Sequence, residues 1–593
     1  MLAGILSLCV LPCWCICGKF KMSPSVRLFV TAAFNFVLFY LLEWSTYILS
    51  LPTWFPASIL LALAAISVYL ILTQKVPLSL TVSGLAFWAI LATWILSFQL
   101  GVVVYGGANW FGDWREHYER ALFFLELKPL ETRFLFGMWS LPARGPLFNS
   151  SAAILMSLFG KDFWGYQIIA TVLNTFSVLP FALLIQSIVK IKQAKAHWIS
   201  LLIMAIAPFA FQMELYSNTK FFTLAFILGA IYLYRRGIRT DRPYWSVGGL
   251  IIFSIGFLAH YLVFPFALFF AGHFFFVTFK RKWGFKPPFY AFLACGILVS
   301  SWFLFLFSQF GLEETLKANS SIGKSYSSFY AKISGKSINS VDVKKGNLLT
   351  TLVPYSFRRN WEGIAAAPVI VQKDGRFGKK FAPQESDPTF EWYSDLVNNQ
   401  GSLLSNLGIA GILGIYLASG WIIRNSGILK NRAKQAKTLL GWKFWAVFFI
   451  VGIPINIALS PNLLPHGTAH LNLHIFVCLT IVWILKYLLE VPNIIKKTLA
   501  VIFIAESLLT IWAWVRLSNR FVPMYIDDAG KIIAWGELKF NLFYLNNFIL
   551  KLKTDSAFLS EQVGTNGLQT GLLINVLLLL LTGWLYYGSH KKE

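Results

Sequence analysis

GGANWFGDWREHYERALFFLELKPLETRFLFGMWSLPARGPLFNSSAAILMSLFGKD, residues 106–162, is a polar, acid-bearing stretch set between two long apolar runs. The run before it ends near Tyr105 and the next begins near Phe163. Asp113, Glu116 and Glu119 stand among aromatic residues, and Arg144 lies beside a Pro-Leu-Phe turn. Carboxylates and a basic group between hydrocarbon-compatible segments point to chemistry on a charged substrate held at a membrane surface.

The rest of the chain supports that setting. Of its 593 residues 57% are hydrophobic and only 13% charged, and the mean hydropathy is +0.63. A soluble protein of this size needs far more polar surface. The net charge of +25 would fit a nucleic-acid binder, but the basic residues gather at the ends of apolar runs, where they set topology, so no nucleic-acid partner is expected. Six cysteines, four of them in the first eighteen residues, show no spacing of a disulfide framework or a zinc site. Residues 1–18 lack a basic n-region, so a cleaved signal peptide is not expected. MSPSVRLFV, from Met22, resembles a natural start, and the first 21 residues read as dispensable.

Apolar runs fall near 27–50, 57–73, 82–105, 164–189, 198–213, 219–234, 244–262, 264–280, 288–308, 402–423, 443–459, 470–489, 498–515 and 570–588. Three of them, 198–213, 219–234 and 264–280, are short enough for tilted or re-entrant packing. Charge placement checks the count. With Lys19, Lys21 and Arg27 on the inside, alternation also puts Lys190/Lys192/Lys195, Arg235/Arg236/Arg239/Arg242, Lys280/Arg281/Lys282/Lys286, Arg424 to Lys443, Lys486/Lys496/Lys497 and Lys591/Lys592 inside. The short outer loops near 51–56, 261–264 and 460–469 carry no Lys or Arg. The expected fold is an all-α polytopic membrane protein of about 12–14 transmembrane helices with interfacial helices in its outer loops. Its parts are extra membrane segments over 1–81, a catalytic membrane core over 82–308 that includes the first outer loop 106–163, and an outer loop over 309–401. Helices over 402–515, an outer segment over 516–569, and a last helix with a basic tail over 570–593 follow. No internal repeat is present.

A helix over Trp110–Lys128, ended by Pro129, puts Asp113, Glu116 and Arg120 on one face at i, i+3 and i+7. Leu122, Phe123, Phe124 and Leu125 form an apolar side, so such a helix can lie in the interface with its acids toward a cavity. For Arg115 and Glu119 a solvated ladder of ion pairs is the plainer reading. Asp113 follows Trp110-Phe111-Gly112 at the membrane boundary, where an ionised group is costly and usually purposeful. A carboxylate there can act as general base on an acceptor hydroxyl or as a metal ligand.

These residues resemble the GT-C superfamily of integral-membrane glycosyltransferases, in particular the protein O-mannosyltransferase and lipid A aminoarabinose transferase branch. The family's acidic opening, Asp-Glu-x-x-Tyr-x-x-x-Ala, is similar to Asp113-Trp-Arg-Glu-His-Tyr118-Glu-Arg-Ala121. Its basic residue before Pro-Pro-Leu is similar to Arg144-Gly-Pro146-Leu147-Phe148, and its "lfG" helix to Leu158-Phe159-Gly160. Ala207-Pro208-Phe209 with Tyr216 fits the third-span region. The resemblance implies a GT-C-like bundle in which Asp113 is the catalytic acid/base carboxylate and Arg144 meets the phosphate of a polyprenyl-phosphate sugar donor. Trp114 replaces the second acid of the motif and Gly145 the first proline; Glu116, one turn on, is the candidate substitute acid.

Further outer-face groups are candidate substrate contacts: His117 and Tyr118 in the loop helix, Glu214 and Lys220 at a short turn, and His260 at a helix end. His466, His470 and His474 recur at i, i+4 and i+8 without an acidic neighbour, a spacing that permits a metal but fits a substrate contact better. Arg358 and Arg359 can meet a phosphate or an acidic acceptor, though a solvated pair is the plainer reading. No cofactor is required by these residues, although a divalent ion is compatible with them. The expected activity is inverting transfer of a hexosyl or pentosyl group from the lipid-linked donor to a hydroxyl on a lipid, glycan or protein, on the extracytoplasmic face of a bacterial inner membrane. The alternatives are a flippase of lipid-linked sugars, which calls for mid-membrane charges in paired broken helices, and a non-enzymatic scaffold of a polysaccharide-assembly complex.

Overall fold

A computed structural model describes residues 1–18, 20, 22–74, 79–99, 111–134, 139–215, 218–320, 403–424, 442–459, 471–489, 491–518, 524–526 and 532–535. The described chain is helical apart from a short antiparallel hairpin, Met524–Ile526 with Ile532–Trp535. Among the described residues six helices are long and apolar enough to cross a membrane, and shorter apolar helices pack between them. The chain is thus an all-α polytopic membrane protein, as its apolar runs imply.

Two short helices, α1 (Leu2–Leu8) and α2 (Trp14–Gly18), precede α3 (Pro24–Ile48), α4 (Phe55–Gln74) and α5 (Ser79–Gln99). Residues 1–18 do not behave as a dispensable leader. Cys9 and Trp14 are buried, and the Asn35 side chain of α3 donates to the Cys9 carbonyl (2.9 Å) while accepting from the Cys13 amide (3.0 Å). Removing the segment would strip those bonds from a membrane-embedded amide, which has no water to replace them.

α3 starts with Pro24, whose fixed φ and missing N–H suit the first helical turn. It is buried along most of its length: Phe29 stacks on Phe176 (5.4 Å), and Phe36 meets Phe222 edge-on (4.9 Å). The loop helix α6 (Phe111–Leu125) and α7 (Leu147–Phe159) pack on one another, and α7 rests on α3. The expected span 164–189 is two helices, α8 (Phe163–Thr175) and α9 (Val178–Val189), meeting at Phe176-Ser177. The expected span 198–213 is also broken, into α10 (Gln193–Ile206) and α11 (Pro208–Leu215). Pro208 lacks the amide a continuous helix needs and drives Ala207 to an extended conformation. α12 (Lys220–Thr240), α13 (Pro243–Ala259), α14 (Phe264–Arg281) and α15 (Lys286–Ser320) follow. Then come α16 (Leu403–Arg424), α17 (Trp442–Leu459), α18 (Leu471–Leu488) and α19 (Asn493–Ser518). α16 is bent at Gly408, whose φ of 66° only glycine adopts freely; the Glu506 carboxylate of α19 accepts from the Ile409 amide (2.9 Å) at the break.

The helix ends sort by charge. Ser25 at the start of α3 meets His197 of α10 (3.5 Å), and Arg235 near the end of α12 donates to the Ser187 carbonyl of α9 (3.0 Å). Arg281, ending α14, pairs with Asp241 (2.7 Å) beyond α12. The arginine-bearing ends of α12 and α14 thus gather at one end of the bundle, as the alternation of charge requires. Asp241 lies outside the spans; hydrogen bonds from Trp283 and Arg281 hold its carboxyl below the usual range.

Candidate active site

The site is built on α6. Its buried face carries Glu116, His117, Arg120, Phe123 and Phe124, while Tyr118, Glu119 and Leu122 lie on the more open side. The helix stops before Pro129. The Lys128 amide donates to the Phe123 carbonyl (3.0 Å) and the Leu127 amide to Phe124 (3.3 Å), with Leu127 at φ 49°. This is a Schellman closure carried by a leucine where glycine is usual.

Glu116 is fully buried and joins two arginines. Its Oε1 accepts from Arg120 Nε (2.9 Å) and its Oε2 from Arg144 Nη2 (3.0 Å). Glu116 and Arg120 are therefore a buried pair and not a solvated one, and a buried carboxylate in an apolar bundle is retained only with charged or hydrogen-bonded partners. Arg120 spends its remaining donors on the chain: Nη1 on the Leu141 carbonyl (3.1 Å) and Nη2 on the Ser140 carbonyl (2.9 Å). Its guanidinium lies 4.2 Å from the Phe134 ring centroid. Burial pulls its proton affinity down and Glu116 opposes that pull. Arg120 thus ties α6 to the turn that presents Arg144.

That turn is locally closed. Phe134 and Trp139 exchange backbone hydrogen bonds (2.8 and 3.1 Å), and a 3-10 turn over Leu141–Ala143 delivers Arg144. The Arg144 side chain, 12% exposed, lies 4.7 Å from the Trp139 ring centroid, a cation–π arrangement. Its carbonyl accepts from the Tyr261 hydroxyl (2.9 Å), and Trp302 Nε1 donates to that same oxygen (2.9 Å). Gly145 follows because nothing larger fits. A Cβ at this position would overlap the Leu258 carbonyl at the end of α13. The glycine that departs from the family's Pro-Pro pair is therefore a close-approach residue.

His117 Nδ1 meets Asn149 Oδ1 (3.0 Å), and Asn149 Nδ2 donates to the Gly145 carbonyl (3.2 Å). Since Oδ1 only accepts, Nδ1 carries the proton. Tyr118 faces elsewhere; its hydroxyl donates to the Lys161 carbonyl (3.0 Å) and its ring lies beside Tyr166 (5.5 Å). Asp113 sits in the first turn of α6, one turn before Glu116, and its side chain lies outside what the structure describes.

The other expected contacts do not all converge here. His260 caps a 3-10 turn by accepting from the Leu262 amide (3.2 Å), and it is its neighbour Tyr261 that reaches Arg144. Glu214, fully buried, accepts from the Ser177 hydroxyl (3.4 Å). Lys220 opens α12, its backbone amide bonded to the Asn218 side chain (2.9 Å). His474 is buried near Phe221 (5.6 Å) and Phe209 (6.1 Å), whereas His466, His470, Tyr216, Arg358 and Arg359 lie outside the described residues. Among the described residues no three His, Cys, Asp or Glu side chains gather as a metal set. Tyr261, Trp302, Trp139, Phe134 and Asn149 were not anticipated. The one available signal was the pair of aromatic residues Phe134 and Trp139 shortly before Arg144.

Comparison with known proteins adds an independent line. No curated protein and no solved structure matches the chain significantly. Residues 143–305, beginning one position before Arg144 and extending past Tyr261 and Trp302, match the sequence model of the dolichyl-phosphate-mannose-protein mannosyltransferase family. That family lies within the GT-C superfamily, and the match carries the resemblance expected from Arg144-Gly-Pro-Leu-Phe and its surroundings. Over those residues the chain is similar to that family, and together with its helical membrane architecture the match supports a membrane glycosyltransferase of GT-C type.

Proposed function

We propose that the protein transfers a sugar from a polyprenyl-phosphate-linked donor to a hydroxyl acceptor on the extracytoplasmic face, with inversion at the anomeric carbon. Asp113 takes the acceptor proton as its oxygen attacks that carbon. The bond to the phosphate oxygen breaks, and the electron pair leaves with the lipid phosphate. Arg144 meets the charge that develops there, since a guanidinium donates parallel hydrogen bonds to a phosphate.

The observation that supports this reading is the mounting of Arg144. Its charge is set by Glu116, its plane by Trp139 and its backbone by Tyr261. A cation positioned before substrate arrives needs little reorganisation when charge develops. Glu116, with both oxygens on arginines, serves in this scheme as a positioning residue. His117 and Asn149 fix the turn after Arg144.

The test uses purified full-length protein with polyprenyl-phosphate hexoses, following release of free sugar and transfer to added acceptors. Asp113→Asn should lower turnover by about 10²–10⁴-fold, the usual worth of a general base, with the thermal transition unchanged. Turnover of Asp113→Asn equal to the parent would remove Asp113 from the mechanism.

A further inference from the structure

Glu43 and Thr46 of α3 are almost completely buried, at 2% and 1% exposure. Among the described residues the Glu43 Oε1 and Thr46 Oγ1 atoms have no hydrogen-bond partner. The two lie at i and i+3, neighbours on one side of the helix. Leaving a buried donor or acceptor unsatisfied costs about 1–3 kcal/mol, and more for a charged group. Two such groups side by side in a spanning helix are costly, and intramembrane ionisable residues mark functional sites by default.

Their position points to one. Phe36, Glu43 and Tyr47 form a single stripe along α3, at i, i+7 and i+11. Phe36 touches Phe222 (4.9 Å), Phe222 touches Phe148 (5.5 Å), and Phe148 touches His117 (5.8 Å). Further along the stripe, Tyr47 packs on Phe123 (4.8 Å) and donates to the Lys128 carbonyl (2.8 Å). Glu43 therefore sits between these two anchors, one turn before the Tyr47 that α3 turns toward α6. Its neighbour Trp44 meets Trp302 (4.9 Å), which bonds the Tyr261 hydroxyl that holds Arg144. α3 lies outside the matched residues 143–305.

We propose that Glu43 and Thr46 form a sugar-binding subsite beside the Arg144 site, taking the hydroxyl groups of the hexose or pentose carried by the donor. A carboxyl and a hydroxyl 3 residues apart can accept from and donate to neighbouring sugar hydroxyls. A lone carboxyl suits hydroxyls better than a divalent cation, which requires more oxygen ligands. The assignment rests on the glycosyl-transfer reading above and adds the group that distinguishes donor from bare lipid phosphate.

The experiment compares binding of polyprenyl-phosphate hexose and of sugar-free polyprenyl phosphate to full-length protein and to E43Q, E43L and T46V. E43Q and E43L should lose on the order of tenfold or more in affinity for the sugar lipid, ~1.4 kcal/mol, with affinity for the bare lipid phosphate held within about twofold. T46V should lose less in the same direction. Without ligand, E43L should unfold at the same or a higher temperature, because replacing an unpaired buried polar group by an apolar one is neutral or stabilising. Variants that bind both lipids like the parent would overturn the subsite alone. So would equal losses on both lipids, or a lowered transition in both E43Q and E43L, which would mark a structural role. If the parent binds neither lipid, the donor reading falls and the subsite with it.

Discussion

Replacing Glu116 is the sharpest probe of the arginine clamp. Its carboxylate makes two charge-assisted bonds, at 2.9 Å to Arg120 and 3.0 Å to Arg144. Such bonds contribute roughly 1.5–3 kcal/mol each. Glu116→Gln keeps the shape but leaves one oxygen for two cations and turns an N–H₂ toward a guanidinium. The Arg120 side chain is 2% exposed and has nowhere to go, whereas Arg144 at 12% can shift toward solvent. The loss therefore falls mainly on the Arg120 side, and breaking a buried pair from one end costs about 3–5 kcal/mol. Glu116→Gln should lower the thermal transition of purified protein by several degrees and reduce turnover beyond what the lost stability explains. Glu116→Gln combined with Arg120→Met removes the stranded charge and should recover part of the stability, a coupling of about 0.5–3 kcal/mol in a double-mutant cycle. Turnover should stay low in the double variant, since Arg144 remains unsupported. A Glu116→Gln protein with unchanged transition and turnover would refute the clamp.

Other consequences are simpler to read. Gly145→Ala places a methyl group on the Leu258 carbonyl and should cost about 1–3 kcal/mol in thermal stability, with turnover falling as Arg144 moves. Tyr261→Phe removes the donor to the Arg144 carbonyl and strands the Trp302 indole N–H; a loss of about 1–3 kcal/mol should exceed that of Trp302→Phe, which leaves the Tyr261 bond intact. Asp241, with its carboxyl depressed by Trp283 and Arg281, stabilises the fold above the usual carboxylate range. That contribution disappears as pH falls through the lowered value, so Asp241→Asn should lower stability at neutral pH and leave it nearly unchanged in acid, which flattens the acid side of the stability profile.

Much of the architecture was legible because lipid imposes length and charge rules on every span. The apolar runs and basic clusters identified the helices, and the spacing of Glu116 and Arg120 identified α6 and its inward face. Helix ends were less legible. Leu127 closes α6 in a left-handed conformation that its residue type disfavours, and the break at Phe176-Ser177 falls where Pro180 has no amide for the Phe176 carbonyl. The Glu116–Arg120 pair is an i, i+4 contact, visible as a spacing. Arg144 is 28 residues from Glu116, and Tyr261 is 117 from Arg144, distances at which periodicity carries no information.

The departures from the family's motif bear on one another once these contacts are known. Trp114 leaves the opening acid without its neighbour, and Glu116 supplies a carboxyl one turn later. At that position the side chain reaches inward, where both its oxygens meet arginine nitrogens, Arg120 on one side and Arg144 on the other. A carboxylate so engaged is a poor proton acceptor, because protonating it would leave two guanidinium groups to repel each other at the membrane boundary. In the proposed mechanism the work of a base then falls to Asp113 rather than being shared. Gly145 permits α7 to approach the end of α13 closely, which draws the Arg144 carbonyl within reach of Tyr261. On this reading the two departures serve one end: the acid and the glycine both fix the basic residue. The division of labour is measurable, since loss of Asp113 should abolish turnover without unfolding, while loss of Glu116 should damage both together.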